Sequence, residues 1–185
     1  MEKVPEKRET AKGKRRGFSV RDALLIGALL AAGAVLKFFV GSVINFGMKP
    51  NFIIAMYCLI ILLIKPPLPE AAVIGVLSGA ICQFFPGQPY INFVSELAGA
   101  AAMGLLAKIP LERFKIPVKT ILCTFLSTLV SGFTFIGVMY GLYYAGAGIT
   151  PTPLAIFLAI IFGTACINAI IVQALYIPLK LALKA

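Results

Sequence analysis

Six apolar runs separated by short polar breaks constrain the fold of this 185-residue chain more than any other feature. The runs cover residues 23–40, 52–64, 71–85, 91–109, 118–145 and 154–182. A helix that crosses a membrane needs about 20 apolar residues. Only 13% of the residues are charged, against about a quarter in soluble domains. The sequence therefore predicts an all-α membrane protein with six transmembrane helices in a single domain.

The second and third runs are shorter than a full span. We therefore expect either thin spans or helices that become irregular at one end. Short or proline-interrupted segments of this kind often flank the binding site of a transporter. Backbone that is not helical at membrane depth must be buried in protein or face water.

The basic residues predict the orientation of the chain in the membrane. Eight of the 17 lie in residues 3–21, and with six spans only Lys37 and Lys49 fall on the outer side. Positive residues concentrate on the cytoplasmic side, so both termini are predicted to be cytoplasmic. We interpret residues 1–19 as a basic, disordered cytoplasmic tail that contacts anionic lipid, and residues 20–185 as the membrane domain. An RNA-binding tail is the alternative, and we expect no nucleic-acid partner.

Several chemistries are disfavoured by the residues present. The chain has no histidine, which removes histidine-based triads and HExxH zinc sites. Its four cysteines lie within apolar runs and form no CxxC pair, so we interpret them as buried thiols without metal or disulfide roles. Serines such as Ser127 and Ser131 have no evident base. We expect no enzyme activity, no metal and no cofactor.

The polar residues expected near the outer side are the candidates for a binding site. Glu96 is the only acid predicted inside the outer half of a span, where a charge usually faces a partner or a cavity. A lysine and Glu96 at a shared cavity would suit a zwitterion, because lysine binds a carboxylate and Glu96 an ammonium. Nearby aromatic residues could hold a flat apolar group. The candidate residues are Lys37, Lys49, Asn51, Gln88, Asn92, Glu96, Tyr140 and Asn168.

Each candidate also has a purely structural interpretation. Glu96 could pair with Lys37 or Lys49 without any ligand. Lys37 could extend its ammonium to the headgroups, and Tyr140 could belong to an interfacial aromatic belt. Asn168 lies deep in the last run, where a lone amide often ties helices together.

Small residues follow a helical spacing in the first run. Gly27 and Ala31 are four apart, as are Ala28 and Ala32, so one face would allow close approach of another helix. Packing within this chain would explain the same pattern.

Five short stretches occur in an order and spacing that point to a known family. They are GAVL (33–36), GMKPN (47–51), FPGQPYIN (85–92), SG (131–132), and NAII followed by YIP (168–178). With these motifs the chain resembles the S components of energy-coupling-factor (ECF) transporters over about residues 20–180, most closely the tryptophan-specific members. GMKP followed by FPGQ is the most specific pair.

The resemblance implies a six-helix subunit that binds a substrate in a bacterial or archaeal cell membrane. Its implied partners are a transmembrane coupling subunit and two cytoplasmic ATPases, and the chain itself has no GxxxxGK[ST] motif. The family's docking face on the first helix maps onto Gly27, Ala28, Ala31 and Ala32. The resemblance implies that substrate is captured outside and released inside when the subunit topples in the membrane.

The implied substrate is L-tryptophan, although two positions depart from the family pattern. Asn51 stands where an acid commonly follows GMKP, and Ser95 and Glu96 replace a common Asp-Lys pair, which reverses the local charge. Another aromatic or heterocyclic nutrient, such as a vitamin precursor, is therefore an alternative substrate. A stand-alone secondary transporter is a separate alternative, for which Glu96 would be the ion-coupling acid. The absence of tryptophan from the chain favours a protein needed during tryptophan shortage, since membrane interfaces usually contain this residue.

Overall fold

A computed structural model describes residues 17–43, 50–86, 88–109 and 116–183. Within these residues the chain forms six α-helices. They are α1 (Val20–Val43), α2 (Ile53–Ile64), α3 (Leu68–Cys82), α4 (Pro89–Leu106), α5 (Ile116–Tyr144) and α6 (Leu154–Ala182). The all-α fold predicted from the apolar runs is confirmed, with one helix for each run. The predicted disorder of the basic tail concerns residues that lie almost entirely outside the described ranges.

Local signals set the ends of these helices. Ser19 and Asp22 cap α1 reciprocally: the Asp22 amide donates to Ser19 Oγ at 3.1 Å, and the Ser19 amide donates to Asp22 Oδ2 at 3.1 Å. Helix α2 ends at Ile64 because Lys65 adopts a left-handed conformation with φ 52°. Helix α3 starts at Leu68, three residues before the predicted apolar run. Pro69 falls in its first turn, where a missing amide hydrogen costs no helical hydrogen bond.

Helix α2 lies at the centre of the bundle and contacts all five other helices. It is apolar on every face, and its residues from Ile53 to Leu62 are all buried. A helix that is hydrophobic all round is expected in a core rather than at a surface. The central position of α2 places its first residues where four other helices converge.

Helices α3 and α4 pack through a seam of small residues. A methyl group added at Gly75 would lie 2.7 Å from the carbonyl oxygen of Glu96 and 2.8 Å from Ala100 Cβ. At Gly79 it would lie 2.9 Å from Phe93 Cα, and at Gly104 it would lie 2.9 Å from Ala71 Cβ. Small residues let two backbones approach this closely in a membrane. The seam fixes the rotation of α4 and therefore the direction in which Glu96 points.

The lengths of the helices fit a membrane protein with three long and three short segments. Within the described residues, Val20–Val40, Val118–Tyr144 and Leu154–Ala182 are long and apolar enough to cross a membrane. Ile53–Ile64, Leu68–Cys82 and Tyr90–Leu106 are shorter apolar helices. The start of α1 contacts the end of α6, because the Arg21 guanidinium donates a hydrogen bond to the carbonyl oxygen of Leu183. The start of α1 and the end of α6 therefore lie on the same side of the bundle, as the charge pattern predicted.

Candidate functional site

Helix α2 is too short to cross a membrane by itself. Its 12 residues extend over about 18 Å, whereas the hydrocarbon core is about 30 Å thick. Residues 50–52 precede the helix, and Pro50 and Phe52 are buried. Asn51 lies between them, so its backbone and side chain need partners within the protein.

Asn51 is the hub of a polar cluster that joins four elements. Its side-chain Nδ2 donates to Glu96 Oε1 on α4 at 2.6 Å and approaches Cys82 Sγ on α3 at 3.9 Å. Its Oδ1 accepts from the Ile53 amide at 3.3 Å, which satisfies one free donor at the start of α2. Its carbonyl oxygen accepts from Asn168 Nδ2 on α6 at 3.2 Å. These contacts make Asn51 the shared partner of Glu96 and Asn168, two of the other predicted site residues.

Glu96 is an almost completely buried carboxylate, with 1% of its surface exposed. Besides the bond from Asn51, its Oε2 accepts from the hydroxyl of Ser131 on α5 at 3.4 Å. Lys37 attracts it electrostatically. A buried carboxylate needs such compensation, because removal from water costs several kcal/mol. Glu96 is thus an anionic group in the bundle interior, stabilised by two neutral hydrogen-bond donors and one nearby cation.

Lys37 is the cationic member of the cluster and is 6% exposed. Its Nζ donates to Cys82 Sγ at 3.2 Å and lies 5.0 Å from the centre of the Phe85 ring. The ammonium therefore points into the bundle, so the alternative in which it extends to the headgroups is wrong. A thiol and an aromatic ring are weak partners for a buried ammonium, which leaves it suited to bind an anion.

Asn168 ties α6 to two other elements. Besides the bond to the Asn51 carbonyl, its Nδ2 donates to Thr128 Oγ1 on α5 at 3.4 Å. The helix-tying interpretation is therefore confirmed. Its Oδ1 is buried and has no hydrogen-bond partner among the described residues.

A stripe of buried hydroxyl residues on α5 was missed in the sequence interpretation. Its members follow a helical spacing and are all buried: Thr120, Thr124, Ser127, Thr128 and Ser131. The helical spacing in TILCTFLSTLVS was the signal that could have identified them. The stripe supplies hydroxyl partners to Glu96 and Asn168.

Tyr57 and Cys82 were also missed as members of this region. Tyr57 is fully buried on α2, and its hydroxyl lies beside Ser127 and Ser131 without hydrogen-bond geometry to either. An added methyl group at Gly99 on α4 would collide with this hydroxyl. A single tyrosine within the apolar run IIAMYCLIILLI was the available signal for Tyr57. For Cys82, the sequence predicted only that a cysteine in an apolar run is buried.

Not every predicted site residue is shown to belong to the cluster. Tyr140 is nine residues beyond Ser131 on α5, about 13 Å along the helix, and its hydroxyl donates to the Thr152 carbonyl at 3.1 Å. Gln88 is exposed before α4. Asn92 is half-buried one turn before Glu96 and on the same face of α4. Lys49 lies outside the described residues.

The small residues predicted to form a docking face are exposed on α1. Gly27, Ala28, Ala31 and Ala32 all face away from the bundle. A methyl group added at Gly27 would meet no other atom within 4 Å among the described residues. Packing against the rest of the described chain therefore does not explain this stripe.

The cluster combines one cation, one carboxylate and several neutral donors in a water-poor interior. Within the described ranges no group of three histidine, cysteine, aspartate or glutamate residues could hold a metal ion. Charged residues buried inside a membrane bundle usually mark a path or a site for polar solutes. Fold and cluster together define the class: a multi-pass membrane protein with a charged site inside its helix bundle.

Comparison with known proteins identifies the family. The family model "Tryptophan transporter TrpP" matches residues 20–184, and the chain belongs to this family. A protein of Clostridium acetobutylicum, described as a probable tryptophan transport protein, is 27% identical over 165 residues, which cover 87% of this chain and 93% of that protein. No solved structure gives a significant match. The chain is thus a membrane transport protein of a bacterial type, and its family role is tryptophan transport.

Proposed function

We propose that this chain is the substrate-binding S component of an ECF importer and that it captures L-tryptophan from outside the cell. One observation carries the proposal: a buried lysine and a buried glutamate belong to one polar cluster in a tryptophan transporter family member. A zwitterionic amino acid carries one charge of each sign, so it can match both residues at once.

Glu96 is the proposed partner of the substrate ammonium. Its two oxygens accept one hydrogen bond each from neutral donors, Asn51 and Ser131. A carboxylate has about four acceptor positions, so a third donor can bind without displacing either neighbour. An ammonium is the strongest such donor because the bond is charge-assisted.

Lys37 is the proposed partner of the substrate carboxylate. Its ammonium has three donors, and the contacts described for it are a thiol and an aromatic ring. A carboxylate would replace these weak interactions with a charge-assisted bond. Phe85, already beside Nζ, would add an apolar wall next to the bound molecule. Lys49 stays a predicted second contact near the mouth of the site.

Binding is tested by titrating the purified protein with L-tryptophan and following indole emission, since the protein itself contains no tryptophan. A saturable blue shift is expected for the wild type. Lys37→Met should weaken binding about 10- to 100-fold by removing a charge-assisted bond. Lys108→Met is the matched control, because Lys108 is exposed at the far end of α4 and should leave affinity unchanged. Lys49→Ala should weaken binding without loss of folding. Equal affinity in wild type and Lys37→Met would remove Lys37 from the site.

The partnership with an ATPase module is a separate part of the proposal. The exposed small residues of α1 are the proposed surface for the coupling subunit, because they let another helix approach closely. Gly27→Leu should therefore abolish ATP-driven uptake in vesicles that contain the coupling subunit and both ATPases, yet leave tryptophan binding intact. Gly137→Leu is the control: Gly137 is also exposed and has open space around it, but it lies on α5. Tryptophan uptake in vesicles without any ATPase would contradict this part and favour a secondary transporter.

A further inference from the structure

The orientation of the Asn168 amide is fixed by its neighbours. The Asn51 carbonyl oxygen can only accept a hydrogen bond, so the amide nitrogen of Asn168 must face it. The Thr128 hydroxyl donates its single hydrogen to the Thr124 carbonyl at 2.9 Å, so it too can only accept from Asn168. Both amide hydrogens are therefore assigned, and Oδ1 must point away from these two partners.

The amide oxygen of Asn168 is left without a donor in the bundle interior. The residue is fully buried, and Oδ1 has no hydrogen-bond partner among the described residues. A buried acceptor without a partner is unfavourable, and such groups in folded proteins usually have a reason, such as a bound ligand or water. Oδ1 has only acceptor capacity, so whatever occupies this position must present a hydrogen-bond donor.

This free oxygen lies next to the charged part of the site. Asn168 and Glu96 share one hydrogen-bonded neighbour, Asn51, which contacts both. A molecule whose ammonium binds Glu96 is therefore separated from Asn168 by a single residue, Asn51.

We propose that Asn168 Oδ1 accepts a hydrogen bond from the ring N–H of the bound amino acid and thereby selects an indole side chain. This inference rests on the proposed function and identifies Asn168 as the residue that distinguishes tryptophan from other aromatic amino acids. An indole N–H is donor-only and Oδ1 is acceptor-only, so the two groups match without a change of tautomer or rotamer. Phenylalanine offers no ring donor and would leave Oδ1 unpaired.

Tyr57 is the competing acceptor, and its geometry is less favourable. Its hydroxyl is also buried without a hydrogen-bond partner among the described residues. It is held between Gly99 and the hydroxyls of Ser127 and Ser131, where even one added methyl group would collide. A hydroxyl can also rotate to donate, so it selects less strictly for a ligand donor than an amide oxygen does.

The test compares L-tryptophan with 3-benzothienyl-L-alanine, in which sulfur replaces the ring N–H and the shape is nearly kept. The benzothienyl analogue is measured by its displacement of L-tryptophan from the full-length protein. Wild type should bind it about tenfold more weakly than tryptophan, because one buried hydrogen bond is lost. Asn168→Leu should bind the two ligands with nearly equal affinity. Thr128→Val removes one acceptor of the amide but keeps Oδ1, and should retain the tenfold preference.

The outcomes separate this inference from the proposed function. Tryptophan binding with equal affinity for the analogue in wild type would overturn the role of Asn168 and leave the proposed function standing. A preference that persists in Asn168→Leu, or one that disappears in Tyr57→Phe, would also overturn it. If Asn168→Leu does not fold, a tenfold preference in wild type that survives Tyr57→Phe supports the inference. Absence of any tryptophan binding to wild type would overturn both proposals.

Discussion

The two faces of helix α4 make different kinds of contact. One face packs on α3 through glycine and alanine, with backbones so close that Gly75 lies against the Glu96 carbonyl oxygen. The opposite face presents the Glu96 side chain to Asn51 and to α5, and Gly99 to the tyrosine hydroxyl of α2. A single helix of 18 residues therefore carries both a rigid seam and a charged site.

The contrast teaches how a membrane bundle can hold a buried charge in a defined direction. The hydrophobic effect does not drive association between helices in lipid, so close packing of small residues supplies the rigidity. The seam needs no polar group, and the site needs no tight apolar contact. Substitutions on the seam should therefore affect folding, whereas substitutions on the other face should affect binding.

The largest effect is expected on the seam, from Gly75→Val. The first added carbon would already lie 2.7 Å from the Glu96 carbonyl oxygen, so the two backbones must separate. We expect a loss of about 3 kcal/mol in the free energy of unfolding and a fall of about 10 °C in melting temperature in detergent. Gly141→Val is the control, because an added methyl group there meets no described atom within 4 Å. An unchanged melting temperature for Gly75→Val would mean that the seam is not rigid.

On the other face, Glu96→Gln should affect binding and spare folding. Glutamine keeps the shape and can still accept from Asn51, but it cannot form a charge-assisted bond with an ammonium. We expect tryptophan affinity to fall about 10- to 100-fold. Glu70→Gln, at the start of α3, should leave affinity unchanged. If Glu96→Gln binds tryptophan as the wild type does, the carboxylate has only a structural role.

The smallest effect is expected for Tyr140→Phe, which lies on neither face of α4. Its hydroxyl bonds to the Thr152 carbonyl and ties α5 to the connection before α6. Loss of this bond should cost about 1 kcal/mol and lower the melting temperature by about 3 °C. Tryptophan affinity should not change, and Tyr144→Phe should alter neither quantity because Tyr144 is 80% exposed. A marked loss of affinity in Tyr140→Phe would restore Tyr140 to the binding site.

The helices could be predicted from the sequence because each apolar run is bounded by proline, glycine or charge. Helix α6 was predicted with its observed bounds, and α2 to within one residue. The start of α3 was missed because the run was taken to begin after the prolines. Prolines are favourable in a first turn, so the helix begins among them.

The site could be predicted only where a residue is unusual for its surroundings. A carboxylate or an amide within an apolar run, such as Glu96 or Asn168, can be recognised as unusual from the sequence alone. The direction of the Lys37 side chain was not predictable, because it depends on how α1 packs beside Cys82 and Phe85. Tyr57 and Ser131 were not predicted as site residues for a related reason: small hydroxyls and a tyrosine are common in such helices, and the contacts between them depend on the rotation of α2, α4 and α5.

The bond between Asn51 and Asn168 has a consequence for biosynthesis. Its two partners are 117 residues apart in the chain, and the acceptor is made first. Until α6 has been synthesised and inserted, the Asn51 carbonyl oxygen lacks its donor from Asn168. Premature termination anywhere before residue 168 would leave that oxygen without this partner. The polar contact between the start of α2 and α6 therefore forms only after most of the chain has been made.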